Sequence, residues 1–168
     1  MSDEILLSVE GLVAKPLRLT YDDLCRFPAQ FQVADVSKLD PKRSGAAVRL
    51  EGILERAAPA ADVRFLTLHG TADDFHASIP LEPVRGRGLL IYRQGDGPLS
   101  VSAGGPLRFL IPDYAECHTD EIDECASVKF VDRIELTAER GRDNRPEDEQ
   151  EHRHLHERQA GSSEGDDG

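Results

Sequence analysis

Apolar and polar residues alternate over many short stretches of this chain, a pattern typical of β-strands with one buried face. The pattern predicts strands at residues 5–9 and 17–19. Thr20 then caps a short helix that ends before Pro28. Cys25 falls on the apolar side of that helix, and we interpret it as a small core residue.

Strand signals continue through the middle of the chain, where Gly-, Pro- and Asp-containing turns separate them. Residues 38–45 have the composition of a loop, and a second brief helix ends near Pro59. Further strands are predicted at residues 31–36, 65–69, 75–81 and 89–92, the middle two of which form a hairpin. Many short strands with two brief helices predict a β-rich α+β fold.

Composition divides the chain into two parts. The 168 residues are 39% hydrophobic, which is enough for one buried core. From residue 142 onward, Asp, Glu, Gly, Ser, Arg and His replace the apolar residues, so burial cannot offset the entropy of ordering. The sequence therefore predicts one domain at residues 1–141 and a disordered, acidic, histidine-containing tail at residues 142–168.

The charge and cysteine content exclude several classes of protein. The net charge is -12, and the last 26 residues hold 9 acids against 3 bases. No basic face dominates, which argues against non-specific nucleic-acid binding. No apolar run approaches membrane-spanning length, and the acidic N-terminus lacks the features of a secretion signal. The three cysteines are an odd number and are too widely spaced for a disulfide scaffold, so they fit a reducing compartment. We expect a soluble, cytoplasmic protein that binds neither nucleic acid nor membrane.

One stretch of this acidic chain is locally basic. Between residues 84 and 112 there are four arginines and one acid: Arg85, Arg87, Arg93 and Arg108 against Asp96. An anionic ligand would be drawn there, although for any single arginine a solvated position on a half-buried strand is a better explanation than a ligand contact. Arg108 is the preferred ligand contact because it follows Gly104-Gly105-Pro106, a turn whose backbone can approach a ligand closely.

A second candidate cation, Lys129, lies within the apolar segment 128–131. We expect its stem to be partly covered, so that its ammonium group needs a partner. The partner is either an acid such as Asp132 or Glu135, or a phosphate group, to which a lysine presents a point charge. In the second case, an arginine and a lysine on neighbouring strands would meet one anion.

The order of these elements resembles the molybdopterin-binding domain of the sulfite oxidase family. The similar segments span residues 5–138, and the most specific are Gly-Pro-Leu-Arg at 105–108 and Val-Lys-Phe-x-x-Arg-Ile-Glu at 128–135. The resemblance implies a mixed-sheet, barrel-like fold with a few short helices. It also implies a molybdopterin cofactor whose phosphate is held by basic side chains and backbone N–H groups. The positions that match cofactor-binding residues of the family are Arg108, Ser127, Val128 and Lys129.

The chain departs from the family where the metal would be bound. Family enzymes supply a cysteine thiolate to molybdenum, but no cysteine lies between Cys25 and Cys117. Counting back along the matched segment places the expected ligand near Asp40, whose carboxylate is a harder ligand than a thiolate. Ala103 likewise stands where the family often has an asparagine. Either Asp40 or water completes a variant metal site, or the domain binds the cofactor without the usual catalysis, or it no longer binds the cofactor.

A separate group of potential ligands comprises Cys117, His118 and Cys125, with four acids among them. These residues are candidate ligands of zinc or iron, although the Cys-x7-Cys spacing is wider than that of the tight cysteine turns in common zinc sites. A polar loop with two half-buried cysteines, or a reversible disulfide, is the alternative. His76 lies on a predicted strand, where we interpret it as a cross-strand hydrogen-bonding residue that can titrate near neutrality.

Two functions follow from these patterns. The first is a molybdopterin-dependent oxidoreductase domain that performs oxygen-atom transfer on a small oxyanion or oxide. The second is a non-catalytic binding or interaction domain that retains the fold and has lost the metal ligand. The chain contains no Gly-x-Ser-x-Gly motif, no phosphate-binding Gly-rich helix start and no zinc-protease helix, so these classes have no support.

Overall fold

In a computed structural model of the protein, the described residues are 4–112 and 128–144. They form ten β-strands and three α-helices. The strands are β1 (Leu7–Gly11), β2 (Leu17–Leu19), β3 (Gln32–Val33), β4 (Ala46–Arg49), β5 (Phe65–Gly70), β6 (Phe75–Pro80), β7 (Leu89–Gln94), β8 (Gly97–Pro98), β9 (Arg108–Leu110) and β10 (Arg133–Thr137). The helices are α1 (Tyr21–Cys25), α2 (Leu50–Ala57) and α3 (Leu81–Arg85). None of the helices in these ranges is both long and apolar enough to cross a lipid bilayer.

The strands form two five-stranded sheets. The first has the order β2-β1-β10-β5-β6, in which β1 and β10 are parallel and the other pairs are antiparallel. The second has the order β3-β4-β7-β8, with β9 also pairing with β7, and all of its pairs are antiparallel. Because one sheet is mixed and the helices are short, the predicted β-rich α+β fold is confirmed.

The second sheet is buried on both faces. Successive residues of a strand point to opposite faces, so Leu90 and Tyr92 of β7 join the main core, which also takes side chains from the first sheet and from α2. Leu89 and Ile91 point the other way, into a smaller cluster that includes Val36. The outer face of the second sheet is therefore covered by the chain around residues 36–45 and 99–103.

Local sequence explains the first two helices. Thr20 Oγ1 accepts a hydrogen bond from the Asp23 N–H at 3.1 Å, and the Asp23 carboxylate accepts one from the Thr20 N–H at 2.9 Å. This reciprocal pair satisfies two backbone donors at the start of α1. The prediction that Thr20 caps this helix is confirmed. Helix α2 buries residues at positions i, i+3, i+4 and i+7: Leu50, Ile53, Leu54 and Ala57.

Three local predictions were wrong. Cys25 is exposed, because the single turn of α1 directs Leu24 into the core and turns the next residue outward. The predicted strand at residues 31–36 is reduced to the two residues of β3, between two short 3-10 turns. Helix α3 was not predicted; its Pro83 lies in the first turn, where the missing N–H would have no intrahelical partner.

The last described residues bind the edge of the first sheet. The Ser78 N–H donates to Asp143 Oδ2 at 2.9 Å, and the His76 N–H donates to Asn144 Oδ1 at 2.9 Å. The Asn144 N–H in turn donates to the His76 carbonyl at 3.0 Å. Residues 143 and 144, which follow the last strand β10, thus supply hydrogen-bond partners to the free edge of β6. The division of the chain between residues 141 and 142 stays a prediction.

Candidate functional site

The topology of the second sheet brings two arginines to one end of it. Strands β4 and β9 are both antiparallel to β7, so both begin at the same end of the sheet. Ala47 and Arg108 pair with the same residue, Ile91, from opposite sides. Arg108 is the first residue of β9, and Arg43 lies in the loop just before β4. Two residues far apart in sequence therefore become neighbours.

The loop that carries Arg43 is held against the sheet by a glycine and a turn. Gly45 has a φ of +112°, and a Cβ built on it would lie 2.6 Å from the Arg93 carbonyl oxygen, so no larger residue fits. The Val36 N–H donates to the Gly45 carbonyl at 2.8 Å. Asp40 Oδ1 accepts from the Lys42 N–H at 3.0 Å, so this carboxylate stabilises its own turn.

Gly104 forms the opposite wall of the site. Its φ is +97°, and a Cβ built on it would lie 3.1 Å from Lys129 Cγ and 3.2 Å from Arg108 Cδ. The absence of a side chain therefore leaves the space in which the stems of both cations lie. We call Arg43, Arg108 and Lys129, with Gly104 between the last two, the cationic cluster.

Lys129 is positioned by its neighbours rather than by a strand. The Phe109 N–H donates to the Val128 carbonyl at 2.9 Å, and the Phe130 N–H donates to the Gly104 carbonyl at 2.8 Å. The Val128 side chain is buried in the core, while Lys129 is exposed. The prediction that both cations lie on neighbouring strands was therefore wrong for Lys129, although the two side chains do flank one glycine.

The acids expected to pair with Lys129 bind other residues. Asp132 Oδ1 accepts from Thr71 Oγ1 at 3.0 Å, and Glu135 Oε1 is 3.0 Å from His69 Nε2. Within residues 4–112 and 128–144, no acid forms an ion pair with any member of the cationic cluster. The alternative of a simple lysine–acid pair thus has no support from the described residues.

Both arginines bury a donor that makes no hydrogen bond. The Nε–H groups of Arg43 and Arg108 are inaccessible to solvent and have no partner. Arg108 Nη1 donates to the Ala103 carbonyl at 3.3 Å, a long bond. Burial lowers the pKa of Arg108 from its ordinary value, the neighbouring Arg43 lowers it further, and Asp40 partly opposes both effects. The site therefore concentrates unpaired positive charge.

Sequence reasoning missed Arg43. Its neighbour Asp40 was singled out as a possible metal ligand, but the direction of the loop could not be read from its composition. The only local signal was a pair of basic residues, Lys42 and Arg43, next to the position where the family has its metal ligand. Pairing of β4 and β9 with the same strand is what places Arg43 beside Arg108.

The residues present fit the phosphate of the predicted cofactor better than they fit its metal. Unpaired guanidinium groups and a glycine-lined space suit an anion. The described residues contain no group of three or more His, Cys, Asp or Glu side chains that could hold a metal ion. Burial raises the pKa of the Tyr92 phenol to about 12, and the neighbouring Cys25 contributes to this increase. Tyr92 lies on the opposite face of β7 from Ile91, so Cys25 is not available to the site.

Several predicted candidates are not in the cationic cluster. Ser127, Cys117, His118 and Cys125 lie outside the described residues. Arg85 lies in α3 rather than on a strand and binds Glu82 at 3.2 Å. Arg85 also lines an open groove of about 430 Å³ beside α2, which none of the cluster residues line.

A buried histidine pair lies on the hairpin formed by β5 and β6. His69 and His76 are directly opposite each other, and their Nδ1 atoms are 2.7 Å apart. His76 Nε2 is 2.8 Å from Asp74 Oδ1, and the hydrogen bond from His76 holds the pKa of that carboxyl below its usual value. Burial lowers the pKa of His69, although the hydrogen bond to Glu135 opposes this. The prediction that His76 forms a cross-strand hydrogen bond is confirmed.

Comparison with known proteins agrees with the fold and identifies a family. A family model described as the oxidoreductase molybdopterin binding domain matches residues 44–144, more than half of the chain. In the crystal structure of the sulfane dehydrogenase SoxCD from Paracoccus pantotrophus, a chain superposes with a TM-score of 0.59 and 21% sequence identity. The match covers 80% of this chain and 38% of that chain, and at this identity it supports the fold alone. No curated protein sequence matches this one.

Proposed function

The chain belongs to the oxidoreductase molybdopterin-binding domain family, and on that premise we propose that it binds a phosphorylated pterin cofactor through the cationic cluster. Arg108 and Lys129 hold the phosphate, and the backbone of the Gly104 turn lies close to it. Ser127 and Val128 contribute through the chain segment that positions Lys129. The observation that carries this proposal is the half-buried guanidinium of Arg108, which forms no ion pair with a described acid and whose Nε–H makes no hydrogen bond, beside a glycine-lined space.

Charge and apolar surface both support this site. A phosphate dianion supplies the partner that Arg108 and Lys129 lack, through charge-assisted hydrogen bonds that are stronger than neutral ones. Small-molecule sites combine a few polar groups with apolar walls. Two exposed apolar residues, Leu39 (42% exposed) and Val101 (70% exposed), lie in the two chain segments that build the cluster. These side chains suit contact with a flat heterocycle.

A bound molybdopterin would supply the two-electron oxygen-atom chemistry of its metal. The protein's residues would hold and orient the phosphate, and Asp40 or water would replace the thiolate of the family. The substrate class is then a small oxyanion or oxide. A non-catalytic binding domain is the second candidate, because no cysteine lies between residues 25 and 117 to supply a thiolate.

The test is to purify the full chain from cells that make the cofactor and to measure molybdenum by elemental analysis and released pterin by fluorescence. We expect wild type to retain pterin. Arg108→Ala and Lys129→Ala should each lower the retained pterin about tenfold, because each removes a charge-assisted contact of roughly 1.5–3 kcal/mol. Arg18→Ala, which removes an exposed arginine from β2, is the matched control and should retain pterin.

The same measurement separates the two candidate functions. Pterin together with molybdenum supports the oxidoreductase, and pterin without molybdenum supports the non-catalytic binding domain. Zinc or iron that is lost in Cys117→Ser would instead assign a metal site to Cys117 and Cys125. Absence of pterin from wild type would refute the proposal.

A further inference from the structure

We propose that Arg43 and Arg108 together bind one tetrahedral oxyanion, so that Arg43 is a ligand-binding residue of this protein. This inference deepens the proposed function, which names only Arg108 and Lys129 as the residues that hold the phosphate, by making Arg43 a direct ligand. The ligand is either the phosphate of the cofactor or a free inorganic oxyanion such as phosphate or sulfate. The first source rests on the proposed function, and the second does not.

The unsatisfied donors make this arrangement unfavourable without an anion. A buried donor that lacks a hydrogen bond costs about 1–3 kcal/mol, and more when the group is charged. Among residues 4–112 and 128–144, Arg43 and Arg108 each hold one such donor, the Nε–H group. Both side chains are half-buried rather than sealed in the core, so a ligand can approach the remaining N–H groups of each guanidinium.

Electrostatics lead to the same conclusion. Arg43 is close enough to lower the pKa of Arg108, so the folded chain holds two like charges next to each other. A structural arginine is normally placed beside an acid, yet neither of these residues forms an ion pair with an acid of the described residues. An oxyanion between the two guanidinium groups would replace their repulsion with two charge-assisted contacts.

Asp40 acts as a partial counter-charge rather than as a direct partner. Its carboxylate raises the pKa of Arg108 but accepts its hydrogen bond from the Lys42 N–H. It therefore lowers the positive potential at the site without satisfying either arginine. Asp40 should compete with a bound anion, because both are negative and both lie near Arg108.

The first experiment is calorimetric titration of inorganic phosphate into the full chain, purified from cells that cannot make the cofactor. Arg43→Gln and Arg108→Gln should each weaken phosphate binding at least tenfold, and Arg18→Gln should leave it unchanged. Asp40→Asn should strengthen binding several-fold, since it removes the competing charge. If Asp40→Asn weakens phosphate binding, or Arg43→Gln does not, Arg43 and Arg108 do not share an anion.

The second experiment measures the pterin retained by Arg43→Gln from cells that make the cofactor. A lowered pterin content identifies the cofactor phosphate as the shared ligand. Unchanged pterin content with weakened phosphate binding identifies a free oxyanion. If Arg108→Ala loses pterin while Arg43→Gln changes neither readout, the inference fails and the proposed function stands. If wild type retains no pterin but binds phosphate through both arginines, the proposed function fails and the inference stands.

Discussion

At the scale of single residues, the candidate site depends on one missing methyl group. Gly104 combines a positive φ, which glycine adopts without strain, with a position where a Cβ would press on the stems of Arg108 and Lys129. If that atom were present, the stems of both cations would have to shift by a few tenths of an ångström. Glycine is thus favoured at position 104 for two reasons, the positive φ of its backbone and the lack of space for a Cβ beside Arg108 and Lys129. The two effects can be measured separately.

Gly104→Ala and Gly95→Ala separate these two requirements. Gly95 also has a positive φ, +65°, but a Cβ built on it would meet nothing within 4 Å. Both variants should lose about 1 kcal/mol of unfolding free energy in urea denaturation, because alanine is strained at positive φ. Only Gly104→Ala should weaken phosphate binding. Equal phosphate affinities in the two variants would show that the space beside Gly104 is not part of the site.

At the scale of elements, the hairpin of β5 and β6 encloses a chain of hydrogen bonds from Glu135 through His69 and His76 to Asp74. Each Nε2 atom lies within hydrogen-bond distance of a carboxylate, and the two Nδ1 atoms are 2.7 Å apart. The register of the hairpin therefore gives every ring nitrogen of the pair a hydrogen-bond partner.

Burial lowers the pKa of His69, and the hydrogen bond to Glu135 opposes this only in part. In the unfolded chain, His69 takes up a proton as the pH falls through its ordinary pKa of 6.5, whereas the folded chain resists it. Stability should therefore fall as the pH drops below about 6.5, and this loss should level off once the pH is below the folded pKa of His69.

The variant His69→Gln tests this dependence. It removes the titrating ring from the pair and should give a shallower loss of the denaturation midpoint over the same pH range. The control is Arg18→Gln, which lies outside the hairpin and should keep the wild-type slope. A slope in His69→Gln as steep as that of wild type would assign the acid sensitivity to other groups.

At the scale of the whole molecule, the last described residues complete the first sheet. Asp143 and Asn144 form hydrogen bonds with backbone groups of His76 and Ser78 on the outer edge of β6. The Asn144 side chain also donates to the Asp74 carbonyl at 2.7 Å. Asp143 and Asn144 are therefore part of the hydrogen bonding of the folded domain, although they are polar like the acidic segment that follows them.

Two truncations test where the domain ends. A chain that stops after Gly141 should be about 2 kcal/mol less stable than one that stops after Asn144, because it loses several hydrogen bonds of about 0.5–1.5 kcal/mol each. The full chain and the chain ending at Asn144 should have similar unfolding free energies in urea. If the two truncated chains are equally stable, the division between residues 141 and 142 is the correct domain boundary.

The sequence by itself determined the features that depend on neighbouring residues. Thr20 and Asp23 start α1, and alternating apolar residues form the β5–β6 hairpin, because caps and strand patterns act over a few positions. Arg108 and Lys129 were also identified from local motifs, together with the family that these motifs indicate.

Only the tertiary structure decided which distant residues meet. Arg43 lies beside Arg108 because β4 and β9 pair with opposite sides of β7, and no local pattern specifies that pairing. His69 and His76 lie within hydrogen-bond distance of each other because of the register of their hairpin, which fixes their separation. Likewise, Cys25 is exposed because one short turn could direct only Leu24 into the core. Local signals set the elements, whereas pairing, register and burial set the chemistry.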